Sequence, residues 1–332
     1  MEWHRLTPRD LYARARSEPA FGRWLIPFLN WLLCLACLVG TPISALAEAP
    51  RPVVYVAGSG NSALDDHVTR LLRERLEETA LLLPISEPPL SEITGASIVA
   101  IGPEAFEKVY QSRPGVPVLG LLVSRAFLAP YVEASPMQVS AVYYDVPLLR
   151  QALTGKAILP QAIRIALLAT TETVGIYDAL IETLPDYGMS ARVFIADTPD
   201  QLIPGLIRAL SYGDFILAGP DNTIYNPANI KHILLTAYRR NKILIGPNQA
   251  YVKAGSLASS YASFEAMSSQ AVEYLEHFFR TGALPGPGYP DTFRVELNEQ
   301  VARSLNIPMP SRERISNAVN ALIEDRNPEG TP

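Results

Sequence analysis

Asp214-Phe-Ile-Leu-Ala-Gly-Pro-Asp-Asn-Thr-Ile-Tyr225 decides the fold, because an apolar, strand-like run from Asp214 to Leu217 opens directly into a polar cluster from Ala218 to Tyr225. Open α/β sheets bind ligands at that place, outside the carboxyl ends of their strands. The next segment repeats the layout: Lys242-Ile-Leu-Ile245 leads into Gly246-Pro-Asn-Gln-Ala-Tyr251 and then Gly255-Ser-Leu-Ala258. Two neighbouring strand ends therefore offer polar loops to one crevice, the layout of a small-molecule binder.

Working outward, strands and helices alternate on both sides. Arg51 to Ala57 is β-branched and aromatic, Gly58 to Asn61 is a loop, and Leu64, Val68, Leu71, Leu72 and Leu76 recur at helical spacing. Ser97–Ile101 and Val116–Val123 are further strands, with a short helix from Glu104 to Gln111 between them. A second series begins near Val146. It contains a helix through Leu148, Leu149, Ala152 and Leu153, a strand from Ile163 to Ala169, and a helix from Val174 to Leu184. The strand Val193–Ala196, the helix Pro199–Leu210, the strand at Asp214, the helix Pro227–Arg240 and the strand Ile243–Ile245 follow. Such alternation predicts a mainly parallel sheet in each half. Beyond it, Phe264 to Arg280 reads as an amphipathic helix stopped by Gly282, Gly286-Pro-Gly-Tyr-Pro290 as a stiff connection, and Thr292–Leu297 as a strand.

Composition narrows the functional classes. Arg5, Arg9, Arg14, Arg16 and Arg23 precede an uncharged apolar block from Trp24 to Val39, and Ala45-Leu-Ala47 has the small-x-small form of a cleavage site, so residues 1–47 read as an export signal cut before Glu48. Both cysteines, Cys34 and Cys37, fall inside it; an alternative reading makes Cys37 the lipid-modified first residue of a lipoprotein. The remainder has no thiol for a disulfide, a zinc site or a nucleophile. The formal charge of the whole chain is −5 and becomes more acidic once the arginine-rich signal is removed, which argues against a nucleic-acid surface.

Catalytic signatures are weak. Gly58-Ser-Gly-Asn-Ser-Ala63 fits a spaced-glycine dinucleotide loop, but the acidic residue expected about twenty positions on, at a second strand end, is replaced by Glu77 and Glu78 within the first helix. A Gly-x-Ser-x-Gly elbow is absent, and His67, His232 and His277 each sit in a helical pattern among charged neighbours, without partners at metal-ligand spacing. Asp65 and Asp66 suit a helix start, where the dipole favours negative charge. Asp221-Asn222-Thr223 reads either as loop structure or as ligand contact. Arg125 could hold a ligand carboxylate or lie exposed, and Tyr143 and Tyr144 could stack on a ligand ring or divide between core and rim. Neither an enzyme, a cofactor nor a metal is expected.

Pro220-Asp-Asn-Thr223, Lys253-Ala-Gly-Ser-Leu-Ala258, Phe293-Arg-Val-Glu-Leu-Asn298 and Ala302-Arg-Ser-Leu-Asn-Ile-Pro308, in this order and spacing, resemble the ABC-transporter substrate-binding proteins, in particular the periplasmic family that includes tryptophan- and tyrosine-binding members. The resemblance runs from about Val139 to Pro310 and is looser over Pro52 to Val123. It implies an α/β fold of two Rossmann-like lobes with a cleft, of the type I periplasmic-binding-protein kind, closing on a ligand by hinge motion. It places lobe 1 at 48–141 plus 258–287 and lobe 2 at 142–257 plus 288–326, with a frayed tail at 327–332. It implies a monomer, a small polar or aromatic ligand and an inner-membrane ABC permease as partner; the alternative is a periplasmic sensor, or an orphan or degenerate binding protein, that presents its closed form to a signalling partner. Ligand contacts carried over by position are Ser59, Asn61, Gly102 to Glu104, Ser124, Arg125, Tyr144, Thr171, Glu172, Asp221, Asn222, Thr223, Asn248, Gln249 and Tyr251. The chain departs from the family where Ser124-Arg125 stands for Thr-Asp-Pro, and where the stretch between the first helix and Ile98 reads as too short for an extra strand and long helix.

Overall fold

A computed structural model describes residues 51–85, 96–112 and 115–326. The export segment, Cys37 and the tail from Asn327 lie outside them. Two parallel sheets organise the described chain. The first has the order β2-β1-β3-β4-β5, built from β1 (Val53–Ala57), β2 (Leu81–Pro84), β3 (Ser97–Ile101), β4 (Val118–Val123) and β5 (Val139–Tyr143). Its helices are α1 (Ser62–Leu76), α2 (Pro103–Ser112) and α3 (Arg125–Ala134). Every residue of β3 is buried, as expected of an inner strand covered on both faces, with Phe106 and Val109 of α2 on one side and Leu72 and Leu76 of α1 on the other.

After α4 (Leu148–Ile158) the second sheet begins. It contains β6 (Arg164–Ala169), β7 (Ser190–Ile195), β8 (Phe215–Leu217), β9 (Ile243–Ile245), β10 (Ala258–Tyr261) and β11 (Arg294–Leu297), in the order β11-β10-β9-β8-β6-β7. Only β11 runs antiparallel, pairing Ser260 with Val295. The helices are α5 (Asp178–Thr183), α6 (Pro199–Tyr212), α7 (Ile230–Tyr238), α8 (Gln249–Ala254), α9 (Phe264–Thr281), α10 (Glu299–Ser304) and α11 (Arg312–Arg326). Read as β7-β6-β8-β9-β10, the second sheet repeats the winding of the first, so β1 corresponds to β6, β3 to β8 and β4 to β9.

The lobes exchange a helix. α4 follows the last strand of lobe 1 but packs on β8, β9 and β10, while α9 follows β10 and packs on α1, β4 and β5. Gln151 fastens α4: its Nε2 donates to the Ser260 carbonyl at 2.8 Å and its Oε1 accepts from the Ser260 amide at 2.8 Å. Met267 of α9 does the equivalent work by burial in the core of lobe 1. The chain passes between lobes after Tyr143, after Tyr261, and again between Tyr289 and Arg294. At the last passage Gly288 stays tied to lobe 1, donating to the Ala141 carbonyl and accepting from the Tyr143 amide.

Several expectations are corrected. The stretch before Ile98 does hold the extra strand, β2, whose Leu-Leu-Leu-Pro sequence pairs in parallel with β1. Strand Ala258–Tyr261 belongs to the second sheet, so the lobe boundary moves from 258 to the passage before Phe264, and the first boundary moves past Tyr143. The expected helix 174–184 is a 3₁₀ turn (Val174–Tyr177), α5, and a second 3₁₀ turn (Leu184–Tyr187) ended by left-handed Gly188. The helix expected over 227–240 begins only at Ile230, because Asn226 and Asn229 side chains bind the carbonyls of Asn222, Thr223 and Ile224. α3, which contains Pro130, and α10 and α11 carry no clear periodic signature in sequence.

Candidate functional site: the crevice between strand ends

Short passages join the carboxyl end of β5 to α4 and the carboxyl end of β10 to α9, so the ligand-competent ends of both sheets meet at the hinge. The loops that follow β1, β3 and β4 lie at the carboxyl end of the first sheet, and those that follow β6, β8 and β9 at the carboxyl end of the second. Ser263 at the N-cap of α9, Glu265, Ala266 and Ser269 of α9, and Thr292, Phe293 and Arg294 of lobe 2 line a cavity of about 220 Å³ beside the second and third passages.

The lobe 1 loops are built by capping. Asp65 in the first turn of α1 accepts from the Ser59 amide (2.8 Å) and hydroxyl (2.7 Å) through Oδ1 and from the Gly60 amide (3.3 Å) through Oδ2. A Cβ at Gly58 would lie 2.5 Å from that carboxylate, so the glycine makes room for it. Asn61 caps α1 through the Leu64 amide, and Ser124 caps α3 through the Phe127 amide. Glu104 stands exposed in the first turn of α2 after Gly102, whose φ is +88°. Arg125 is exposed, and its amide donates to the Asp145 carboxylate at 3.2 Å. Tyr144 is 46% exposed on the rim, whereas Tyr143 is buried against Tyr289 with ring centroids 5.0 Å apart.

Burial raises Asp145 above the usual carboxylate range, opposed by the Arg125 amide. It likewise pushes Tyr289 up to about 12, with Asp145 adding and Arg125 opposing. Arg125, Tyr143, Asp145 and Tyr289 thus form one linked group where two passages meet, and sequence reading found only its first two members.

In lobe 2, Thr171 gives its amide (2.6 Å) and hydroxyl (2.9 Å) to Asp197 after β7, as Ser59 does to Asp65 in lobe 1. Glu172 is exposed beside it. Asp221 is 0% exposed. Its Oδ2 accepts from the amide and hydroxyl of Thr170 (2.9 and 3.2 Å) and from the Thr173 hydroxyl, while Oδ1 accepts from the amides of Thr223 and Ile224. Burial pushes its carboxyl up, but the Thr173 hydroxyl and three amides together hold it below the ordinary range. Asp221 is therefore a tie between two loops with no surface for a ligand, which corrects its assignment as a contact. Asn222 and Thr223 beside it are exposed.

The loop after β9 follows the same logic. Asn248 caps α8 through the Ala250 amide, and Gln249 reaches away to Glu296 of β11 at 3.3 Å. Tyr251 donates its hydroxyl to the Tyr225 carbonyl, and its ring walls a cavity of about 480 Å³ with Tyr225, Pro227, Ile230, Ala250 and Ala254.

The proposed contacts thus divide in two. Ser59, Ser124, Thr171, Asp221, Asn248, Gln249 and Tyr251 spend side-chain polar groups on holding loops and helix starts. Glu104, Arg125, Tyr144, Glu172, Asn222 and Thr223 present exposed side chains on crevice loops, and Asn61 is exposed while capping. The sequence reading places Asp65 at a helix start, where it stands, but does not single out Asp145, Asp197, Thr170 and Thr173 as architects of the site; the available signal is an Asp a few residues past a strand end that also carries Ser or Thr.

His67 meets Arg70 at 2.9 Å and the edge of Phe264, with centroids 5.3 Å apart, and among the described residues it makes no ion pair. Among the described residues no group of three or more His, Cys, Asp or Glu could hold a metal ion, and no helix is long and apolar enough to cross a membrane.

No protein-family model matches the chain, and no curated protein matches it. Solved structures do. A substrate-binding protein with adhesive properties from Clostridium difficile, in a ligand-free, open structure, is similar with a TM-score of 0.63 at 17% identity, covering 80% of this chain and 98% of that one. A conserved domain protein from Vibrio cholerae follows at 0.51, 17% identity and coverages of 82% and 97%. An ABC domain in complex with L-Trp from Streptococcus pneumonia stands at 0.50, 17% identity, 79% and 96%. At this identity the likeness establishes the two-lobed α/β fold.

Proposed function

We propose that the protein is an exported solute-binding component of an ABC transporter, which captures a small polar or aromatic molecule between its lobes and delivers it to an inner-membrane permease. One observation carries the reading: two sheets of matching winding, joined by three chain passages, place their carboxyl-end loops at the hinge, and those loops are stiffened by side-chain caps while a second set of polar side chains stays exposed. A crevice of this kind excludes water on closing, which strengthens a small number of polar contacts. Two of the similar structures are described as a substrate-binding protein and as a complex with L-Trp, in keeping with this role. The arginine-rich, then apolar, opening of the sequence supports export.

The test is a thermal-shift screen of the purified protein against amino acids, aromatic acids, nucleosides and sugars. A ligand of the native state at 100 times its dissociation constant adds about 2.7 kcal/mol of stability. The expected result is a clear shift with one class, together with a smaller radius of gyration in solution scattering. A folded protein that responds to no class in either measurement overturns the reading.

A further inference from the structure

Arg150 is the one arginine in the first turn of α4, three residues past Pro147 and so at the crevice end of lobe 2. It is only 7% exposed. Its guanidinium carbon lies 4.7 Å over the ring of Phe293, the residue that also walls the 220 Å³ cavity at the hinge. Its Nε is buried without a hydrogen-bond partner among the described residues, and none of the ion pairs there includes it. Asp291 and Tyr289 of the third passage favour its charged form from beyond ion-pair distance, while burial works against it.

Two of these placements, burial without an ion-pair partner and a seat in the first turn of a helix, are unfavourable for the free protein, while the Phe293 face offsets part of that. A buried charge without an ion-pair partner is costly, and the amino end of a helix repels a cation. A leucine or methionine would fill the same space against Phe293 without either penalty. What a guanidinium offers instead is a rigid fork matched to a planar oxyanion, already desolvated and oriented by an aromatic face. Of the exposed crevice residues Arg125 also carries a guanidinium, but it stands in solvent on the other lobe beside Asp145, so Arg150 is the one already desolvated.

We infer that Arg150 is the anion anchor of the crevice, binding a carboxylate of the captured solute beside Phe293. The inference rests on the solute-binding reading and adds to it the chemical class of the solute.

The test uses acids paired with their neutral amides: acetate and acetamide, benzoate and benzamide, succinate and succinamide, L-tryptophan and L-tryptophanamide. Binding is measured by calorimetry and thermal shift on the wild type, Arg150→Met, Arg150→Lys and Asp291→Asn. At least one acid is expected to bind ten times or more tightly than its amide. Arg150→Met loses that tenfold preference, Arg150→Lys keeps part of it, and Asp291→Asn leaves it in place. Equal binding of acid and amide, full binding by Arg150→Met, or loss of the preference in Asp291→Asn overturns the anchor while leaving a receptor. If nothing in the panel or in the wider screen binds, the receptor reading fails, and the unliganded melting temperature judges Arg150 separately. A melt at or above wild type for Arg150→Met supports an arginine held for a ligand, and a clearly lower melt shows a structural arginine and overturns the inference.

Discussion

Five donors converge on the carboxylate of Asp221, two from amides of its own turn and three from Thr170 and Thr173 in the loop after β6. An amide cannot replace it, because one of its two ends would present N–H groups to other donors. Asp221→Asn is expected to cost about 3 kcal/mol in urea denaturation at pH 7. The folded-state carboxyl lies below its unfolded value, so its contribution is complete above the unfolded value and is lost as pH falls through the folded one. The gap between wild type and variant should therefore narrow below about pH 4; a gap independent of pH would show that charge is not what matters at this site. Met137 offers the opposite case. Its φ is +70° and it is 67% exposed, so it holds a left-handed backbone with little packing in return. Met137→Gly relieves roughly 1–2 kcal/mol of backbone cost against a smaller entropic loss. The protein should gain about 0.5 kcal/mol, and a melting temperature that falls would refute this.

At the scale of elements, one side chain docks a helix onto a foreign lobe. Gln151 of α4 bonds both backbone groups of Ser260 and also reaches the Pro247 carbonyl and the Ser259 hydroxyl at 3.3 Å. Gln151→Leu keeps the volume but leaves the Ser260 amide buried without its partner and the Ser260 carbonyl with the Ser259 hydroxyl alone, for an expected loss of about 2–3 kcal/mol. Chemical denaturation monitors it, and a loss below about 1 kcal/mol would mean that packing of α4 alone holds it to β10. The same scale explains what periodicity shows and hides. α1 and α9 are long and amphipathic, and their apolar stripes are visible in the sequence as stripes. α3 hides behind Pro130, and β2, with Leu81 half exposed at a sheet edge, shows no alternation. The asparagine-rich turn from Asn222 to Asn229 delays α7 because those side chains satisfy carbonyls that a helix would otherwise use.

Across the whole molecule, the ion pair Arg294–Glu265 at 3.8 Å spans from β11 of lobe 2 to the first turn of α9 on lobe 1. Both partners are largely exposed, so its worth to global stability is small. Glu265 is held below the usual carboxylate range mainly by its own amide and the Ser263 hydroxyl, with Arg294 adding less. Arg294→Ala should therefore leave the urea midpoint nearly unchanged, within about 0.5 kcal/mol. A restraint between lobes would show elsewhere, as an increase in the radius of gyration of the unliganded protein. An unaltered scattering curve would assign the pair to the surface alone.

The sequence by itself determined the alternation of strand and helix, the two halves, and the place of the crevice, because buried parallel strands require apolar runs and strand ends require polar turns wherever they occur. It could not separate a capping side chain from a ligand-binding one. Ser59, Ser124, Asp221 and Asn248 have the residue types of a polar site, and those same types satisfy the free amides at helix starts. Only the tertiary structure, by bringing Thr170 to Asp221, Asp65 to Ser59 and Asp197 to Thr171, decided which hydrogen-bonding groups were spent within the chain. It likewise decided that α4 and α9 change lobes and that Arg150 is buried over Phe293 with no ion pair among the described residues, since both depend on contacts between residues far apart in sequence, which no local pattern encodes.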